Sequence, residues 1–103
     1  MAALAQAYRT YAREHPGTYA AVQRADDLGA AWAGEEVVEV VLAVLRGYGL
    51  GGDDAIHGVR IVRAALHGFV VLENDGGFRI PLDLDETFAR LLATLDRGIS
   101  ASA

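Results

Sequence analysis

A chain of 103 residues is the size of one domain and too short for two, so a single domain over residues 1–103 is expected. Fourteen acidic against nine basic residues, with no lysine, give a net charge of −5. That balance argues against nucleic-acid contact by this chain itself, and the absence of cysteine removes disulfides, thiolate metal sites and cysteine nucleophiles together.

Leu4, Tyr8, Tyr11 and His15 recur at helical spacing in an alanine-rich segment, with Gln6, Arg9, Arg13 and Glu14 elsewhere around it, which predicts a first helix. It stops at His15-Pro16, because a residue before proline is pushed out of the α region. Pro16 suits the first turn of a short second helix with Tyr19 and Val22 on its apolar side. Asp26 to Gly34 is poorly patterned and reads as a connection anchored by Trp32.

Glu35 and Glu36 open a third helix, where carboxylates oppose the positive end of the dipole. Val37, Val41, Val44 and Tyr48 form one row and Val38, Leu42 and Leu45 another. A valine-rich run also suits a strand, but the wide apolar sector and the stop at Gly47 and Gly49 favour a helix. Gly51-Gly52 turns the chain, and Asp53 is the expected N-cap of a fourth helix reaching about Asn74. Two apolar stripes run along it, Val59, Val62, Leu66 and Phe69 on one side and Ile61, Ala65, Gly68 and Leu72 on another. A helix striped twice must be covered twice, and one layer can come from its own chain and the other from a second copy. Gly68 costs up to about 1 kcal/mol inside a helix, which points to a close helix approach.

Asn74 to Gly77 are turn formers, and Phe78 to Pro81 lead into a fifth helix. Asp83 and Glu86 form a variant capping box, Glu86 and Arg90 an i,i+4 pair, and Leu84, Phe88, Leu91, Leu92, Leu95 and Ile99 share one sector.

The chemistry of an enzyme is missing. His57 and His67 stand ten residues apart on one helix, about 15 Å along its axis, so no metal site is expected. Asp53-Asp54 and Asp83-x-Asp85-Glu86 open helices and are explained by capping. Neither a phosphate-binding loop nor a Gly-x-Ser-x-Gly elbow occurs, and no cofactor is expected. The longest apolar stretch, Val37 to Leu45, contains Glu39 and falls short of the ~18 residues of a membrane span. No signal peptide is evident, and a cytoplasmic protein without membrane contact is expected. Arg60, Arg63 and His67 form a polar row that suits a solvated stripe, a polar corner of a ligand cavity or a dimer salt bridge. Tyr8, Tyr11, Tyr19 and Tyr48 suit half-buried core packing or hydroxyls aimed into such a cavity.

Ala64-Ala65-Leu66-His67-Gly68-Phe69-Val70-Val71-Leu72-Glu73, followed by Gly77-Phe78 and Pro81-Leu82-Asp83-Leu84-Asp85, resembles the C-terminal domain of TetR-family regulators of the WHG type. His15-Pro16-Gly17-x-Tyr19 is similar to the start of that domain, and the likeness runs from about Leu4 to Ile99. Leu66 stands where that type carries its tryptophan. The resemblance implies an all-α, five-helix domain whose last two helices form a dimeric four-helix bundle. It also implies a transcriptional repressor's sensor for a small ligand. Because the first residues already match the sensor domain, the DNA-reading helix-turn-helix is expected to be absent from this chain. The expected ligand is small and largely apolar, bound by Tyr8, Tyr11, Tyr19, Tyr48, Arg63 and His67. The expected homodimer face is Val62, Leu66, Phe69, Leu84, Phe88 and Leu92, with the Ile61 stripe as the alternative. A stand-alone helical module that heterodimerises with a full-length regulator is the competing function.

Overall fold

The computed structural model describes residues 1–19 and 34–102, and the side chains of all of these except 34–40. Among the described residues the chain is all helical, with no strand. Helix α1 spans Ala2–Glu14, α2 is described over residues 16–19, α3 spans Gly34–Gly47, α4 Gly52–Asn74 and α5 Leu84–Ala101. The expected continuation of α2 through Val22 and the connection holding Trp32 lie outside the described residues.

Local chemistry sets the boundaries. His15 leaves the helical region ahead of Pro16, with φ −132°, while its N–H still reaches the Tyr11 carbonyl at 2.9 Å. Helical structure resumes at once, the Tyr19 N–H bonding the His15 carbonyl at 2.8 Å. Helices α3 and α4 both end in the doubly bonded Schellman arrangement, which needs a left-handed residue just past the helix. At α3 the Leu50 and Gly49 N–H groups return to the carbonyls of Leu45 and Arg46, with Gly49 at φ +84°. At α4 those of Gly77 and Gly76 return to Leu72 and Glu73, with Gly76 at φ +72°.

Two capping expectations change in detail. Gly51, not Asp53, is the N-cap of α4, so Asp53 and Asp54 sit in its first turn and act on the dipole without a capping bond. Asp83 does cap α5, its carboxylate accepting the Asp85 N–H at 3.0 Å. Glu86, however, turns forward to Arg90, whose Nε donates to it at 3.0 Å.

Helix α4 is the axis of the domain, and α1, α3 and α5 all pack against it. By length and composition alone α4 is apolar enough to cross a bilayer; its three neighbours cover one side of it, and Ile56, Ile61 and Leu72 stay exposed. Its buried residues Val62, Leu66 and Phe69 join Leu45 of α3, Ala5 of α1 and Phe88 and Ile99 of α5 in one cluster. Phe88 is fully buried, and truncating such a ring typically costs about 3–5 kcal/mol. The seam with α3 is tight at Gly58, where a Cβ would stand 3.0 and 3.2 Å from the two methyls of Leu45. Gly68 is different. A Cβ there would meet nothing within 4 Å, so within the protomer the close helix approach lies at Gly58.

The two stripes of α4 separate cleanly. Val62, Leu66 and Phe69 are buried within the protomer's own core, as is Phe88 of α5. Side chains enclosed by their own chain offer little area to a second copy, so in the protomer Val62, Leu66, Phe69 and Phe88 serve its own core. Leu84 and Leu92 are half-buried against the same core. Along the alternative stripe Ile61 is 51% and Leu72 47% exposed, with Ala65 and Gly68 half-buried between them.

Candidate functional site

The buried side of α1 is Ala5, Arg9 and Ala12, and Leu4 and Tyr8 flank it half-buried. Alanines at these positions let α1 lie close on α4. Leu4 and Tyr8 then form one wall of an apolar recess closed by Val41 of α3 and by Val59, Val62, Arg63 and Leu66 of α4. The recess is open on one side and has a volume of about 30 Å³, room for roughly one water molecule.

Beside it runs a chain of polar contacts. The Tyr8 and Tyr19 hydroxyls are 2.5 Å apart, and the Tyr19 hydroxyl lies 2.6 Å from Nδ1 of His67. Tyr19 meets Tyr8 edge to face and lies tilted over the His67 imidazole, so three rings from α1, α2 and α4 are fixed as a unit. Burial pushes the Tyr19 phenol well above its ordinary value, and the hydrogen bond with Tyr8 adds to the rise, so the hydroxyl stays neutral.

Four of the six expected ligand-binding residues are therefore brought together: Tyr8 and Arg63 line the recess, and Tyr19 and His67 connect to it through Tyr8. Tyr11 and Tyr48 are not. Tyr11 is 43% exposed and rests against the His15 ring, because the face of α1 that meets α4 is the Ala5–Arg9–Ala12 row and not the Leu4–Tyr8–Tyr11–His15 row. Tyr48, in the turn after α3, donates its hydroxyl to Asp96 of α5 at 2.5 Å. That bond, more than burial, raises its phenol pKa. Within the polar row of α4, Arg60 is exposed while Arg63 and His67 are half-buried.

A second constellation escaped the sequence reading. Arg9, off the apolar row that the sequence pattern marks on α1, is 4% exposed. Its Nε and one terminal nitrogen donate to the two carboxylate oxygens of Glu73 at 3.0 and 2.6 Å, and its other terminal nitrogen donates to Asp85 at 2.8 Å. The guanidinium carbon lies 5.2 Å from the centre of the Phe69 ring and 4.9 Å from that of Phe88. The bond to Glu73 is the main reason the guanidinium holds its proton even more firmly than usual, against the cost of burial. The available signal was the alanine row itself, since a charge between Ala5 and Ala12 can be buried only if acids on other helices meet it.

The site thus has no convergent acid, base and nucleophile; it is an apolar seam with a few placed polar groups. Residues 1–95 match the model of the tetracyclin repressor-like C-terminal domain. An uncharacterized HTH-type transcriptional regulator of Mycobacterium tuberculosis is 38% identical over 100 residues, covering 93% of this chain and 45% of that protein. A second uncharacterized HTH-type regulator, from Bacillus subtilis, is 33% identical over 101 residues, covering 96% of this chain and 53% of that protein. The chain belongs to the tetracyclin repressor-like C-terminal domain family. It spans about half the length of the curated relatives it matches.

Proposed function

We propose that residues 1–103 are the ligand-sensing and dimerising part of a TetR-type transcriptional repressor, with operator DNA read by a helix-turn-helix domain outside this stretch. The observation that carries the sensing role is the recess between α1 and α3 over α4, apolar on all sides but for Tyr8 and Arg63. That is the composition of a small-molecule site, in which apolar walls supply affinity and a few polar groups fix orientation. The ligand class that fits is small and largely apolar, with a polar group within reach of Tyr8 or Arg63. At about 30 Å³ the recess is a starting gap, and a ligand enters by parting α1 from α3. Such parting is the kind of displacement a sensor has to produce.

A symmetric homodimer completes the proposal, through the alternative stripe of α4, Ile61, Ala65, Gly68 and Leu72, set beside α5 as two helices of a four-helix bundle. C₂ pairing is the commonest assembly of identical chains, and a stripe with Gly68 at its centre lets two helices approach closely. The sensing role is tested by thermal shift across a chemically diverse library. A ligand that binds only the folded state at a hundredfold excess over its Kd stabilises by about 2.7 kcal/mol. Tyr8→Phe should weaken the response to any such compound. A library that produces no stabilising compound, apolar ones included, contradicts the sensing role.

A further inference from the structure

Arg9 stands where three helices meet. Its guanidinium takes one carboxylate and one phenyl ring from α4, Glu73 and Phe69, and one of each from α5, Asp85 and Phe88. Helix geometry makes this possible, because Phe69 and Glu73 lie at i,i+4 near the end of α4 and Asp85 and Phe88 at i,i+3 at the start of α5. The planar fork matches two carboxylates at once and keeps its charge at any pH the fold meets. With Arg9 4% exposed and the Glu73 side chain 12% exposed, water cannot take the place of Glu73, whereas Asp85, 79% exposed, is the looser of the two ties. Helix α5 is thus tied to Arg9 by the bond to Asp85 and by the Phe88 ring, and α1 cannot slide without dragging the Glu73 carboxylate of α4.

The neighbouring residue on α1 faces the other way. Tyr8 lines the recess, as does Leu4 one turn earlier. A helix of 13 residues is stiff over that span, so a displacement at Leu4 or Tyr8 reaches Arg9 within about two turns. The geometry points to α1 as a lever and to Arg9 as the pin through which a change at the recess resets the angle between α4 and α5. Only the input of this device rests on reading the recess as the sensing site.

The absence of native cysteine allows a clean test. Spin labels on Arg60→Cys in α4 and Arg97→Cys in α5, both exposed positions, report the distance between the helices, with labelled chains diluted in unlabelled protein. Leu4→Trp adds bulk to the recess from the α1 side. The device predicts that Leu4→Trp shifts this distance, that Arg9→Met broadens it, and that the double variant matches Arg9→Met alone. Arg9→Lys keeps the charge but loses the fork and should behave as Arg9→Met does, which covers the case in which the apolar variant fails to fold. The inference is overturned if Leu4→Trp leaves the distance unchanged, or shifts it equally with and without Arg9. No ligand is used, so the lever can fail while a stabilising library compound leaves the sensing role standing.

Discussion

Arg9 and Glu73 are joined by two parallel N–H to oxygen bonds of 3.0 and 2.6 Å across 64 residues of sequence, with the Arg9 side chain 5% and the Glu73 side chain 12% exposed. Removing Glu73 leaves the buried guanidinium with only the exposed Asp85 to match it. Glu73→Ala is expected to cost about 3–5 kcal/mol. Asp85 meets the same guanidinium, but its side chain is 79% exposed, so Asp85→Ala should cost about 1 kcal/mol or less. Urea unfolding of the two variants checks the order, and equal losses would contradict the asymmetry.

The tyrosines give a pH dependence whose sign is fixed. Burial, then the bond with Tyr8, raises the Tyr19 pKa in the folded state, and the bond to Asp96 raises that of Tyr48. A phenol that holds its proton more tightly when folded contributes stability that is fully present below its unfolded pKa, about 10. That contribution is lost as pH rises through the folded value. Wild-type stability should therefore decline above about pH 10, and Tyr19→Phe should decline less steeply from a lower neutral-pH value. Chemical denaturation between neutral and strongly alkaline pH measures both slopes. Parallel slopes would contradict the coupling.

Much of this architecture was legible beforehand, and the misses share a physical cause. The breaks at His15-Pro16, at Gly47 to Gly49 and at Asn74 to Gly77 follow from backbone chemistry that acts within a few residues. The double stripe of α4 likewise follows from period alone. The buried face of α1 did not, because alanine carries little hydrophobic signal and the larger Tyr11 and His15 drew the reading one position around the helix. Arg9 could not be found by pattern, since its partners are 64 and 76 residues away and only tertiary folding brings them together. The choice between the two stripes of α4 also needed the packing of α1, α3 and α5 to settle which side the chain covers itself.

Two glycines in the interior of α4, Gly58 and Gly68, should respond in opposite directions to alanine. At Gly58 the new methyl meets Leu45 at 3.0 and 3.2 Å, and Leu45, itself 1% exposed, must give by a few tenths of an ångström inside the core. An overpacking cost of about 1–3 kcal/mol then outweighs a helix-propensity gain of up to about 1 kcal/mol. At Gly68 the methyl meets nothing within 4 Å, so Gly68→Ala should raise protomer stability by up to about 1 kcal/mol. Thermal melts at high dilution distinguish the two, and destabilisation by Gly68→Ala would show that its surroundings within the protomer are not open.

The most direct test of a sensor that works as a dimer through α4 is the mass of the particle in solution, measured by light scattering after size exclusion at micromolar concentration. Ile61 is 51% and Leu72 47% exposed, so a charge at either position leaves the protomer core intact while opposing burial against a second copy. The wild-type chain is predicted to run at twice its own mass, and Ile61→Glu and Leu72→Glu to run as folded monomers with unchanged helical content. A wild-type monomer, or a dimer indifferent to both substitutions, would contradict the account.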